Sequence, residues 1–321
     1  NITTGAQNVA VGHRALNQSQ TANNNVAVGF DALYYNSTGT LNTASGYRAL
    51  YSNTTGNDNT AYGRQSLYTT STGTDNVAVG AATLYSNTTG CFNTAIGRHA
   101  LQANTAANFN TAVGKSALHT NTTGACNVAS GMCALYANTT GFSNVAMGPW
   151  TLGSTTTGSY NTGIGRSAGF SNTTGCYNTA LGHEASYHNT TGVGNTASGM
   201  FALRNTSTGQ QNTAVGTCSL YANTTASFIT AVGGHSLKAN TTGACNVGLG
   251  YVTLAANTTA SGNTAAGYAA LLSNTTGACN TATGYRALDA NTTGSKNTAV
   301  GSCTLFANTT GANNTVVGYQ T

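Results

Sequence analysis

The stretch Asn280–Lys296 reads NTATGYRALDANTTGSK, and the same pattern recurs along the whole chain. When Asn8 is counted as repeat position 1, that position returns every 17 residues, at 25, 42, 59 and onward to 314, without insertion or deletion. The 321 residues therefore divide into 18 full repeats at 8–313 and partial repeats at 1–7 and 314–321. A short period kept this strictly indicates a solenoid in which each repeat forms one coil.

Two glycine columns and one leucine column predict the corners and the core of each coil. Position 5 is glycine in all nineteen occurrences, which indicates a corner that needs positive φ or a very close neighbour. Position 15 is glycine except in four coils that have alanine, so it predicts a less demanding corner. Position 9 is leucine in sixteen of eighteen coils, and position 3 is almost always alanine, which predicts a narrow core. The corner ladder begins with Gly12, Gly29, Gly46, Gly63, Gly80 and Gly97, and the core ladder begins with Leu16, Leu33, Leu50, Leu67, Leu84 and Leu101.

Polar columns predict ladders of hydrogen bonds between coils. Position 1 is asparagine everywhere except Ile229, and position 14 is threonine everywhere except Ala106. Such side chains can bond to their own copies one coil away. Position 12 gives Asn-x-Thr sequons such as Asn53, which are glycan acceptors in a eukaryotic secretory pathway. Consecutive coils would place these sequons about 4.8 Å apart, too close for every one to carry a glycan, so a second asparagine ladder is the simpler interpretation.

The repeat as a whole predicts an all-β fold, a parallel β-solenoid with 17 residues per coil and about 19 coils. Short strands are expected around positions 1–4 and 7–10, because no ordinary helix tolerates this much Gly, Asn, Thr and Ser. A strand spacing of about 4.8 Å predicts a rod about 90 Å long. We expect residues 1–321 to form one continuous repeat domain, and part of a longer chain or of an end-to-end assembly, because neither end offers a cap.

Composition limits the functional classes. Charged residues are 5% of the chain, and the net charge of +5 argues only weakly for anionic partners. Seven of the ten basic residues lie at positions 6 or 7, a density too low for a nucleic-acid track, and they are expected to deter unwanted strand pairing. No apolar run is long enough to span a membrane. The regular leucine column argues against disorder.

The unit NTAVGKSAL at Asn110–Leu118 resembles the head repeats of trimeric autotransporter adhesins of the YadA and haemagglutinin type. It is more similar still to the NTAxGxxALxxNTTG arrays of phage tail-fibre-like and bacterial surface proteins. The resemblance covers the whole chain and implies a β-roll or β-helix that is left-handed. It also implies an extracellular place on a cell or virion surface.

Few residues offer catalytic or metal-binding chemistry. Asp58 and Asp75 share position 17 of adjacent coils and could form a paired-carboxylate or calcium site, but exposed turn residues are the simpler interpretation. His183, Glu184 and His188 are expected around one corner, without the helix of a zinc-binding HExxH motif. We therefore expect no enzyme activity, no cofactor and no metal site.

Two sets of side chains are candidates for lateral contacts between rods. Position 10 is aromatic in half of the coils, including a run of four consecutive coils whose residues could stiffen the rod or stack on sugars or on another rod. Three cysteines share position 7 at spacings of 85 residues, too far apart for disulfides within one chain. These candidates are Tyr34, Tyr51, Tyr68, Tyr85, Cys133, Cys218 and Cys303.

One region departs from the pattern. Between Pro149 and Tyr187 the leucine column is broken by Gly169 and Ser186. Phe170 and Tyr187 are expected to fill the space that the missing leucines leave. A tolerated defect in a redundant array explains this region, with a bend or a docking point as the alternative.

The sequence favours a non-enzymatic structural protein, a fibre shaft or surface filament that associates with itself end to end or laterally. An ice-binding solenoid is the first alternative, because such proteins are flat, threonine-rich and nearly uncharged. A receptor-binding or glycan-binding adhesin is the second. No nucleic-acid partner and no membrane span are expected.

Overall fold

The computed structural model describes residues 4–321, so residues 1–3 of the first partial repeat lie outside the described part. The described chain is all-β, and each coil contributes one short strand at repeat positions 2–4. The chain divides into two compact units, with the boundary between Tyr160 and Asn161, and each is described by itself below.

The first unit contains nine strands, and each pairs in parallel with the next one along the chain. They are β1 (Val9–Val11), β2 (Val26–Val28), β3 (Thr43–Ser45), β4 (Thr60–Tyr62), β5 (Val77–Val79), β6 (Thr94–Ile96), β7 (Thr111–Val113), β8 (Val128–Ser130) and β9 (Val145–Met147).

The second unit contains ten strands with the same parallel pairing. They are β10 (Thr162–Ile164), β11 (Thr179–Leu181), β12 (Thr196–Ser198), β13 (Thr213–Val215), β14 (Thr230–Val232), β15 (Val247–Leu249), β16 (Thr264–Ala266), β17 (Thr281–Thr283), β18 (Thr298–Val300) and β19 (Thr315–Val317).

The register within each unit is one repeat per coil, so every residue lies beside its copy 17 positions away. Thr60 pairs with Val77, for example, and Ala61 with Ala78. The bonds are of normal length, as in the 2.8 Å bond from the amide of Thr43 to the carbonyl of Asn59. The prediction of a parallel β-solenoid with 17 residues per coil is confirmed.

The prediction of a second strand at positions 7–10 is wrong, because this segment is a turn. Arg48 and Leu50, at positions 7 and 9, have φ values of 53° and 50°, in the left-handed region. Successive residues of a strand point to opposite faces, whereas Ala49 and Leu50 are both buried in the same core. The positive φ values of Arg48 and Leu50, on either side of Ala49, turn the side chains of Ala49 and Leu50 inward. The segment still joins the coils, since the amide of Leu50 donates to the carbonyl of Ser66 at 3.0 Å.

Leucines at position 9 and alanines at positions 3 and 8 form the apolar core of each unit. The leucines predicted for the core ladder, from Leu16 to Leu101, are all buried. Gly63, at the predicted corner, has φ of 131°, and a Cβ atom there would lie 2.6 Å from the carbonyl oxygen of Gly80. A real Cβ does not approach backbone this closely, and residues with a side chain rarely adopt this φ, so the backbone conformation and the coil spacing together require glycine at position 5.

The residues expected to replace the missing leucines do not enter the core. Phe170 and Tyr187 are half-buried and stack on each other with ring centroids 5.3 Å apart, as other aromatic residues of the position 10 column do. Gly169 and Ser186 are themselves buried, and Ala168 and Ala185 belong to the core beside them. The core therefore lacks a large side chain at position 9 of these two coils.

None of the described residues forms a helix that is long and apolar enough to cross a membrane.

Candidate interaction surface

Two asparagine ladders run through the interior and hold neighbouring coils in register. At position 1, the Oδ1 atom of Asn42 accepts the backbone amide of Asn59 at 3.0 Å, and the Nδ2 atom of Asn59 donates to the carbonyl of Gly73 at 2.8 Å. At position 12, the Nδ2 atom of Asn104 donates to the Oδ1 atom of Asn87 at 2.8 Å. These side chains are fully buried, so the prediction of asparagine ladders is confirmed.

The threonine ladder lies one residue earlier than predicted. Hydroxyls at position 13 donate to the carbonyl one coil on, as Thr54 does to Ser71 at 2.9 Å and Thr122 to Thr139 at 3.0 Å. Threonines at position 14, such as Thr55, are exposed instead. Positions 13 and 14 are adjacent, so when the position 13 hydroxyl bonds to the neighbouring coil, the position 14 side chain faces solvent.

The strands place two columns of side chains on the outside of every coil, at positions 2 and 4. Between them the position 3 residue is buried, and from β2 to β18 the three-residue pattern is partly or fully exposed, buried, partly or fully exposed. We call the surface formed by positions 2 and 4 the β-face. The alternation follows directly from strand geometry, and the two columns lie about 7 Å apart.

The β-face carries no charged residue in any of the nineteen coils. Position 2 is threonine in thirteen coils and valine in six. Position 4 is mostly larger and apolar, with Tyr62 61% exposed and Ile96 41% exposed. Within each unit, an exposed and uncharged surface of this composition is a candidate interaction site.

Two flanks border the β-face in the first unit. Beyond position 4 lies a basic flank, with Arg64, Arg98 and Lys115 exposed at position 6. Beyond position 2 lies the corner formed by positions 16 and 17, where Asp58 and Asp75 are exposed. The same corner exposes Phe92 and Phe109, which stack with ring centroids 5.2 Å apart.

Arg14 and Arg48, two of the basic residues that follow the glycine corner, form ion pairs with the buried carboxylate of Asp31. The Nε and Nη2 atoms of Arg14 donate to the two carboxylate oxygens of Asp31 at 2.7 and 2.8 Å, and the Nε atom of Arg48 donates to Oδ2 at 3.3 Å. The carboxylate is fully buried. The hydrogen bond from Arg14 and the attraction of both guanidinium groups hold the pKa of Asp31 below its ordinary value, although burial opposes this.

The aromatic run at position 10 forms a continuous stack. The ring centroids of Tyr34, Tyr51, Tyr68 and Tyr85 lie 5.4, 5.2 and 5.0 Å apart, and their planes are within 15° of parallel. Arg14 lies 4.8 Å from the centroid of Tyr34. Because each ring covers the face of the next, the stack presents ring edges outward, whereas sugars stack on ring faces.

Within residues 4–321, the structure does not group the acidic and histidine candidates into a catalytic site. Asp58 and Asp75 are exposed and make no ion pair with any residue of 4–321. Glu184 binds Arg204 at 2.8 Å, and its distance to the Nε2 atom of His183 is 3.7 Å. His188 packs edge-on against Tyr187. Across the described chain, no three His, Cys, Asp or Glu side chains are grouped so that they could hold a metal ion.

All eight cysteines are free thiols in the structure. Cys133 is buried, Cys218 and Cys303 are partly buried, and Cys126 is exposed at position 17. Burial raises the pKa of the Cys133 thiol above its ordinary value. Lateral contact through Cys133, Cys218 and Cys303 stays a prediction.

No family model matches the chain, and no curated protein is similar to it. The site must therefore be argued from its geometry. Sequence reasoning missed the β-face as a surface, although two signals were available. One was the alternation of positions 2 and 4 around the alanine at position 3, and the other was the absence of charge from both columns.

Proposed function

We propose that this chain is a non-enzymatic structural protein, a β-solenoid shaft that associates laterally with copies of itself through the β-face. The single observation that carries the proposal is the uncharged, outward surface at positions 2 and 4, where sixteen of the nineteen coils have at least one apolar residue. Burial of Val79 and Ile96 against a second copy would remove apolar surface from water at about 25 cal/mol per Å². A location outside the cell is part of the proposal and rests on the resemblance of the repeats to those of surface proteins.

The interior supports a mechanical role. Most coils repeat the same main-chain bonds, the same asparagine ladders and the same leucine core, so loss of one coil contact leaves the neighbouring contacts in place. Tyr51 stacks on Tyr34 and on Tyr68 outside this core, which adds stiffness along the direction of stacking.

The proposal is tested by sedimentation velocity of the full chain over a range of concentrations. We expect association of the wild type, and loss of association in V79K/I96K, which places two lysines on the β-face. The matched control is T89K/A106K, which adds the same charge at exposed position 14 of the same two coils. A wild type that stays monomeric, or equal association of both variants, would refute the proposal.

Ice binding is the second candidate, because position 2 presents thirteen threonines on an uncharged strand surface. Position 4 varies from Ser45 to Tyr62 and Met147, which disturbs the regular spacing that an ice lattice demands. Thermal hysteresis of the wild type above that of V79K/I96K would favour this candidate, whereas hysteresis equal to that of buffer would end it.

A further inference from the structure

The β-face alone is too narrow for a stable pair of copies. Nine strands at about 4.8 Å, each about 10 Å across, give the first unit a footprint of about 430 Å². A standard interface buries about 800 Å² on each partner. If contact extends over both flanks, from position 17 to position 6, the width roughly doubles and the footprint reaches about 860 Å². The chemistry of the flanks therefore decides how two copies meet.

Two face-to-face arrangements are closed by a two-fold axis. In the antiparallel one, like flanks meet, so that the basic flank of Arg64, Arg98 and Lys115 would lie against the basic flank of the partner. In the parallel one, the axis runs along the stacking direction, and each basic flank lies over the partner's position 17 corner. A two-fold rotation without translation also keeps equal coils at equal height.

The first unit has complementary charges only in the parallel arrangement. Asp58 and Arg64 lie two residues before and two residues after the same strand, β4, so Arg64 meets the partner's Asp58. Likewise Phe92 and Arg98 flank β6, so Arg98 meets the ring of the partner's Phe92. The side chains of Arg64, Asp58 and Asp75 carry no hydrogen bond or ion pair in the described chain, unlike Asp31 with its two arginines.

Packing on the β-face favours the same arrangement. The parallel two-fold axis sets position 2, which is always threonine or valine, opposite the variable position 4 of the partner. Thr60 then lies opposite the partner's Tyr62, and Thr94 opposite the partner's Ile96. The antiparallel arrangement sets large residues against large ones and small against small, so the two sheets could not keep an even spacing of about 10 Å.

We propose that the first unit forms a parallel, in-register, two-fold pair with a second copy of this chain, and that ion pairs between Arg64 and the partner's Asp58 help to fix the orientation. The inference rests on the proposed function and adds its geometry.

The test is sedimentation equilibrium of the full chain at low ionic strength with R64D, D58R and the double variant R64D/D58R. Each single change sets like charges together at two symmetric contacts, so we expect the pair to weaken by about 5- to 30-fold. The double variant restores both contacts with the charges exchanged, and we expect an affinity within about 3-fold of the wild type. Lys296 already occupies position 17 in another coil, so the fold accepts a basic residue there.

Equal thermal unfolding of all three variants would show that the fold is intact. Singles that associate like the wild type, or a double variant weaker than both singles, would overturn the parallel pair. If association is nevertheless lost in V79K/I96K, the proposed function stands and only the orientation fails. A monomeric wild type refutes both.

Discussion

Thr70 interrupts the position 12 ladder, and replacing it with asparagine should stabilise the protein. The ladder runs from Asn36 to Asn53, where Nδ2 of Asn53 donates to Oδ1 of Asn36 at 2.8 Å, and it resumes at Asn87. Between them the Oγ1 atom of Thr70 and the Oδ1 atom of Asn53 are buried without a hydrogen-bond partner. Thr70 is too short to continue the ladder.

The expected gain in stability follows from the unsatisfied Oγ1 atom of Thr70 and Oδ1 atom of Asn53. An asparagine at position 70 could donate to the Oδ1 atom of Asn53 and to the carbonyl of Gly73, as Asn53 donates to Gly56 at 2.9 Å. Its own Oδ1 atom could accept from Asn87, whose Nδ2 atom now bonds only the carbonyl of Gly90. A buried unsatisfied polar atom costs about 1–3 kcal/mol, so we expect T70N to raise the free energy of unfolding by about 1–3 kcal/mol.

Guanidinium unfolding followed by circular dichroism measures this change. The reverse variant N121T breaks an intact part of the ladder, where Asn121 donates to Asn104 at 3.0 Å and accepts from Asn138 at 2.7 Å. We expect N121T to lose about as much stability as T70N gains. T72N, at exposed position 14, is the control and should stay within about 0.5 kcal/mol of wild type. If T70N is no more stable than T72N, the ladder does not supply the stability assigned to it.

Two further predictions concern the ion pair and the corner. Because the folded pKa of Asp31 is lowered, its contribution to stability is present above the ordinary carboxyl pKa of about 3.9 and is lost as pH falls through the lowered value. Wild type should therefore be more stable than D31N at neutral pH and lose this advantage below about pH 4, as measured by thermal unfolding across pH; an advantage unchanged in acid would contradict the assignment. At the corner, G63A should cost about 2–4 kcal/mol, because alanine there is strained at φ of 131° and its Cβ meets Gly80. G56A should cost less, since alanine occupies position 15 in four other coils; equal losses in denaturant unfolding would show that the two corners are equivalent.

The repeat predicted the coil length, the glycine corner and the leucine core, because each depends on a residue type that only one environment requires. The turn at positions 7–10 could not be predicted in the same way. Ala49 and Leu50 are adjacent apolar residues, and nothing in their identity shows that Leu50 adopts positive φ. Leucine rarely does so, and here the coil-to-coil bonds impose it.

The surface was harder to predict than the interior. Thr54 and Thr55 have the same side chain, and only the backbone determines which hydroxyl bonds along the ladder. The sequence suggested that aromatic residues at position 10 contact a neighbouring rod or a sugar, yet Tyr51 and Tyr68 cover each other's ring faces. The β-face was not predicted from the sequence, because valine and threonine occur in exposed and in buried strands alike.

Cryo-electron microscopy of the assembled full chain is the most direct test of lateral association through the β-face. The account predicts side-by-side copies whose strands at positions 2–4 face each other, and isolated copies for V79K/I96K under the same conditions. Wild-type copies that remain isolated, or that touch through the position 10 stack or position 14 while the β-face stays open to solvent, would contradict it.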